Sequence, residues 1–165
     1  MINFVKMHGL GNDFIMIDLF KEEEIEFQQY AQKWCDRHKG IGADGLVLIK
    51  EAEDGENDLK MVIYNSDGSE AEMCGNAIRC FAKYTYENGL IDKNEIRVET
   101  KAGVIIPELI LEDGQVKDIK VDMGEPIFNP KDIPIAKEGA KVIDERVEIG
   151  DGSYHISAIS MGNPH

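Results

Sequence analysis

Apolar residues along the chain fall into short clusters separated by turn formers. Asn3 to His8, Phe14 to Leu19, Leu46 to Lys50, Leu59 to Asn65 and Glu95 to Thr100 are rich in branched or aromatic side chains and read as strands of a mixed sheet. Two segments carry a helical period instead. Ile25, Phe27, Tyr30, Ala31, Trp34 and Cys35 recur at steps of three and four, which predicts an amphipathic helix with Gly40 as its stop. From Gly75 to about Asn88, the residues Ala77, Ile78, Cys80, Phe81, Ala82 and Tyr84 spread small and apolar groups around most of the circumference, so this helix is expected to be enclosed by sheet. Asp113-Gly114, set between Leu109-Ile110-Leu111 and the run Val116 to Val121, predicts an antiparallel hairpin.

Farther on, Pro126, Pro130 and Pro134 interrupt the periodicity and read as a linker or extended connection. Val147 to Ile149 and Tyr154 to Met161 then form a second strand pair. The expected division is residues 1–120 as one α/β domain and residues 121–165 as a linker with the first strands of a second. Because the sequence stops at His165 just after Gly162-Asn163-Pro164, that second domain is expected to be incomplete. Met7 to Asn12 and Ser160 to Asn163 both close a strand with Gly-Asn, a weak internal echo compatible with duplication.

Charge narrows the classes of partner. The 165 residues hold 32 acidic and 18 basic side chains, a formal charge of -14, so phosphate backbones and anionic bilayers are repelled at long range. No nucleic-acid or membrane partner is expected. Neither a secretion signal nor a run of transmembrane length is visible, and a cytoplasmic location follows as the expectation. Cys35, Cys74 and Cys80 are an odd count, which argues for reduced thiols rather than a disulfide framework.

Chemistry concentrates around Cys74. Asn65 to Met73 form a polar turn leading into a helix that opens Cys74-Gly75-Asn76. Free N–H groups and the positive end of the helix dipole favour an anion there, and with it the thiolate. The amides of Gly75 and Asn76 can also seat a substrate carboxylate beside the sulfur, and glycine leaves the approach open. Against this stands the plainer reading of a small capping residue with an inert sulfur. Cys80, six residues on, turns to another face of the helix and reads as packing. Cys35 and His38 lack a second pair at zinc-ligand spacing, so no metal is expected. Gly40-Ile41-Gly42-Ala43-Asp44-Gly45 matches the dinucleotide pattern literally, but follows a helix and precedes a strand, the reverse of the required order, and reads as a turn. His8, Asn12, Asp13 and Asp67, taken singly, are ordinary turn residues.

Six strings occur in order: His8-Gly9-Leu10-Gly11-Asn12-Asp13-Phe14, Gly40-Ile41-Gly42-Ala43-Asp44, Asn65-Ser66-Asp67-Gly68-Ser69, Met73-Cys74-Gly75-Asn76, Met123-Gly124-Glu125-Pro126 and Met161-Gly162-Asn163-Pro164-His165. Together they resemble the diaminopimelate epimerase family. The resemblance implies an α+β fold, a curved mixed or antiparallel sheet wrapped around a central helix, in duplicated domains of which the second is incomplete here. It implies an isomerase that interconverts LL- and meso-2,6-diaminopimelate for lysine and peptidoglycan precursors. Two cysteines would act as acid and base on opposite faces of the α-carbon, with no cofactor, neither pyridoxal phosphate nor metal. Acid and base of similar pKa suit a reaction that runs both ways. By resemblance Cys74 is one acid/base, Gly75 and Asn76 bind the reacting carboxylate, Asn12, Asn65 and Asn163 hold polar groups of the substrate, and His165 assists near the reacting centre. The partner is then a small amino acid, and a homodimer is left open for the intact protein. Two departures stand out. The second catalytic cysteine lies in a later segment absent here, so this polypeptide alone is expected to be inactive, and Gly45 stands where some relatives carry glutamine. A racemase of the proline racemase type, a non-catalytic amino-acid-binding module and a thiol redox or metal protein are the alternatives.

Overall fold

Phe14 to Ile17 and Leu46 to Ile49 are unbroken apolar runs, the pattern of strands covered on both faces. The computed structural model, which describes residues 1–162, 164 and 165, places them in the middle of a sheet. Its strands are β1 (Val5–Gly9), β2 (Asn12–Asp18), β3 (Gly45–Glu51), β4 (Leu59–Asn65), β5 (Glu70–Ala71), β6 (Val98–Thr100) and β7 (Gly103–Ile105). Spatial order is β1-β2-β3-β4-β6-β7, with β5 also on β4. The β2–β3 and β4–β6 pairs are parallel and the others antiparallel, so the sheet is mixed as expected. Helix α1 (Gln28–Cys35) connects β2 to β3 and helix α2 (Gly75–Glu87) connects β5 to β6.

Alternation along the central strands assigns the two faces. Phe14, Met16, Val47, Ile49, Leu59, Met61 and Ile63 point to one side and pack with Ala77, Ile78, Cys80, Phe81, Ala82 and Tyr84 of α2. Ile15, Ile17, Leu46 and Leu48 point to the other and pack with Phe27, Ala31 and Cys35, at and along α1. A hairpin of β8 (Glu108–Glu112) and β9 (Gln115–Lys120) adds Leu109, Leu111, Val116 and Ile119 to the α2 side, so α2 is enclosed between sheet and hairpin. The second face, covered by α1, is what the unbroken apolar runs encode.

Helix α1 begins at Gln28 rather than at Ile25, because Phe27 is its N-cap and no side chain caps it. Short β5 and β7 carry too few residues for a readable period. Two of the tight hairpins place both loop residues at positive φ, Leu10 (53°) with Gly11 (88°) and Asp113 (52°) with Gly114 (78°), the geometry of a two-residue turn that matches strand twist. The second uses the preferred Asp-Gly pair; the first puts a leucine, 92% exposed, in a left-handed conformation.

The chain divides into two compact units, Met1–Asp122 and Met123–His165. Among its described residues the second holds a 3-10 turn (Pro130–Asp132), an antiparallel pair, β10 (Val142–Ile149) with β11 (Gly152–Ala158), and isolated bridges from Ser160 to Ile127 and Pro164. Ile133, Val142 and Ala158 form its small buried cluster. Among the described residues no helix is long and apolar enough to cross a membrane.

Candidate functional site

Cys74 occupies the N-cap position of α2 in extended conformation (φ -144°, ψ 118°). Extended backbone there turns its carbonyl into the helix, where Ile78 N donates to it at 2.9 Å as the first bond of the ladder. The N–H groups of Gly75, Asn76 and Ala77 precede that ladder, and no side chain caps them. The sulfur is half-buried, one side resting on the apolar core. All three cysteines are free. Cys35 and Cys80 are buried, and burial pushes both thiols up, which leaves them as packing groups.

The tip of the β1–β2 hairpin lies against this helix start. A Cβ on Gly9 would sit 3.0 Å from the backbone oxygen of Asn76 and 3.3 Å from its Cα, so only glycine allows this approach. The proximity brings Asn12 to the helix. Its Oδ1 accepts from the Cys74 thiol at 3.7 Å and from Asn76 Nδ2 at 3.2 Å. Its Nδ2 donates to Asp44 Oδ2 at 2.7 Å. Arg79, one turn along α2, donates from Nη2 to Asn76 Oδ1 at 2.5 Å and from Nη1 to the Gly75 carbonyl at 2.9 Å.

Behind Asn12 lies a charged cluster. Arg37 donates to Asp13 Oδ1 at 2.6 Å and to Asp44 Oδ1 at 2.8 Å, and Lys6 pairs with Asp13 Oδ2 at 2.7 Å and also donates to the Gly42 carbonyl. The Arg37 guanidinium holds the Asp13 carboxyl well below the usual carboxylate range, and Asp13 in turn raises Arg37. The hydrogen bond from Asn12 lowers Asp44. Both carboxylates are therefore ionised at neutral pH. The Gly40–Gly45 loop that carries Asp44 is a turn; a Cβ at Gly40 would lie 2.2 Å from the Lys33 carbonyl oxygen, which accounts for that glycine without any nucleotide.

The structure thus brings together four of the sequence-predicted residues: Cys74, Gly75, Asn76 and Asn12. Asn65 ends β4 opposite Gly45, and the next residue, Ser66, donates its N–H to the Asp44 carbonyl at 3.2 Å. Asn65 Nδ2 donates to Ser69 Oγ at 3.0 Å, and Asn65 makes no direct bond to Asn12 or Cys74. His165 is exposed in the second unit, where its N–H donates to the Ile159 carbonyl at 2.7 Å. Asn163 lies outside the described residues. Arg79, Asp44 and Arg37 were not singled out from the sequence. For Arg79 the signal was present, since positions three and four residues apart share a helix face and relate it to Asn76 and Gly75. Asp44 and Arg37 come to Asn12 only through the fold. Among the described residues no group of three or more His, Cys, Asp or Glu side chains is arranged to hold a metal ion.

A sequence model described as diaminopimelate epimerase matches residues 4–129. The curated relatives include the diaminopimelate epimerases of Pelotomaculum thermopropionicum, 54% identical over 99% of this chain and 59% of their own, and of Caldanaerobacter subterraneus subsp. tengcongensis, 52% identical over 99% and 58%. That of Methanococcus maripaludis is 48% identical, again over 99% of this chain and 58% of its own. The chain therefore spans somewhat under three-fifths of the length of these relatives. In fold it is similar to a hydroxyproline epimerase from Agrobacterium vitis (TM-score 0.64, 14% identity, covering 94% of this chain and 48% of that one) and to a probable proline racemase from Agrobacterium radiobacter (TM-score 0.63, 13% identity, covering 96% and 49%). An enclosed helix opening on Cys74, a mixed sheet, and close relatives along nearly every residue lead to one conclusion: the chain belongs to the diaminopimelate epimerase family.

Proposed function

We propose that the full-length protein is a diaminopimelate epimerase and that this chain contributes one of its two acid/base cysteines, Cys74. What carries the reading is the position of the Cys74 sulfur, half-buried at the amide-rich start of an enclosed helix with Asn12 and Asn76 beside it. Gly75 and Asn76 N–H groups would hold the carboxylate at the reacting carbon, and the same fixed dipoles would stabilise the negative charge that develops next to it when the α-proton leaves. Such preorganised donors are what allow the step to run without pyridoxal phosphate or metal. Asn12, Asn65 and Asn163 would hold polar groups of a substrate zwitterionic at both ends, and His165 would assist near the reacting centre. The opposing cysteine would come from the length that relatives have beyond this chain, in a second domain begun by residues 121–165. An enzyme of a biosynthetic route to lysine and peptidoglycan precursors belongs in the cytoplasm.

The test uses the full-length protein. Cys74→Ser should lower epimerisation of LL- and meso-2,6-diaminopimelate by about 10²- to 10⁴-fold, the usual worth of a positioned acid/base. Exchange of the α-hydrogen in deuterated water should fall with it, while the thermal transition stays in place. Exchange at the wild-type rate in both directions would remove Cys74 from the mechanism.

A further inference from the structure

Side-chain amides can face either way, and which way the Asn12 amide faces decides what the Cys74 sulfur meets. Five groups make a connected row: Arg79, Asn76, Asn12, Asp44 and Arg37. A guanidinium only donates, so Arg79 requires Oδ1 of Asn76 and leaves Nδ2 facing Asn12. Asn12 must then answer with Oδ1. At the other end an ionised carboxylate only accepts, so Asp44 requires Nδ2 of Asn12, the same orientation reached independently. The hydrogen bond from Asn12 lowers Asp44 and Arg37 pairs with it, so the carboxylate stays an acceptor. With a pure donor at one end and a pure acceptor at the other, no amide in the row can turn over without placing like atoms against each other.

We propose that Arg79 and Asp44 are positioning residues that polarise this row so that Asn12 presents a carbonyl oxygen, 3.7 Å away, to the Cys74 sulfur. A carbonyl oxygen accepts from S–H and repels a lone-pair-bearing sulfide. The row therefore opposes the dipole of α2, which favours an anion at the helix start. The relay does not depend on the two-cysteine reading above.

Infrared difference spectra of the protein against Cys74→Ser isolate the S–H stretch of Cys74. A band at the lowered frequency of a hydrogen-bonded thiol is expected, and a band at the free-thiol position, or no S–H band at neutral pH, overturns the proposal. In Arg79→Met/Asp44→Asn, which removes the pure donor and the pure acceptor together, the band should move to the free position, and iodoacetamide should alkylate Cys74, followed by peptide mass spectrometry at pH 7, about two- to fivefold faster, the range set by one weak hydrogen bond. Arg79→Met alone, which keeps the Asp44 end, should leave both readouts as in wild type. Loss of packing would expose Cys35 and Cys80 as well, so alkylation confined to Cys74 separates the relay from unfolding, and the wild-type band decides the matter should the double variant not fold. An unmoved band in the folded double variant, or an Arg79→Met that behaves like it, refutes the assignment. If α-hydrogen exchange with diaminopimelate fails while the band and its response persist, the relay stands and the epimerase reading falls.

Discussion

Three thiols in one chain are told apart by where their sulfur lies. Cys35 and Cys80 are sealed in the two cores, while Cys74 is the half-buried one among the cysteines. Helical spacing separates Cys80 from Cys74 in the sequence, and Gly75 and Asn76 are legible from their place after a polar turn. Asn12 is legible only as a turn residue, because its bonds to Cys74 and Asn76 span 62 and 64 positions and no local pattern encodes them. The ion pairs behind it have a pH signature. Asp13 has its folded-state pKa depressed, chiefly by Arg37, so its contribution is present in full above the ordinary value of 3.8 and is lost as the pH falls below it toward the depressed one. Asp13→Asn should lower the melting temperature by a constant amount between pH 7 and about pH 5, and the gap from wild type should close below about pH 4 in calorimetric scans. A gap unchanged by acid would show that Asp13 acts by shape rather than charge.

At the scale of elements, the site depends on one glycine. Gly9 lets the β1–β2 tip press on the first turn of α2, where a methyl group would meet backbone atoms at 3.0 and 3.3 Å. Backbone cannot swing aside as a flexible side chain can, so Gly9→Ala should cost about 1–3 kcal/mol in denaturant unfolding, the range for overpacking. The same change should raise alkylation of Cys74 by drawing Asn12 away, whereas an unaltered stability would place the contact outside the native packing. Both helices, the four longer sheet strands, the run from Glu95 that ends in β6 and the Asp113-Gly114 hairpin are visible as periods and turn signals. The three-residue β7 and two-residue β5 are not, since two or three residues carry no period and are strands only because β4 and β6 offer them a ladder.

For the whole molecule, the apolar runs of β2 and β3 announce a sheet covered twice, and α1 and α2 supply the two covers. The order of strands was not legible, because parallel pairing of β2 with β3 and of β4 with β6 depends on crossovers through α1 and α2 rather than on turns. Residues 1–122 hold both larger cores and the whole Cys74–Asn12–Asp44 row. Expressed alone they should unfold in one cooperative thermal transition with Cys35 and Cys80 protected from alkylation, and a broad transition with all three thiols open would contradict that self-sufficiency. Double covering also separates timescales within this unit. Amides of Ile15, Met16 and Val47–Ile49 are laddered on both sides and roofed on both faces, so deuterium reaches them only when the unit opens as a whole. The Leu10–Gly11 bend, its leucine 92% exposed, lies outside that double cover, so its amides should exchange without that event while the frame that aims the tip stays closed.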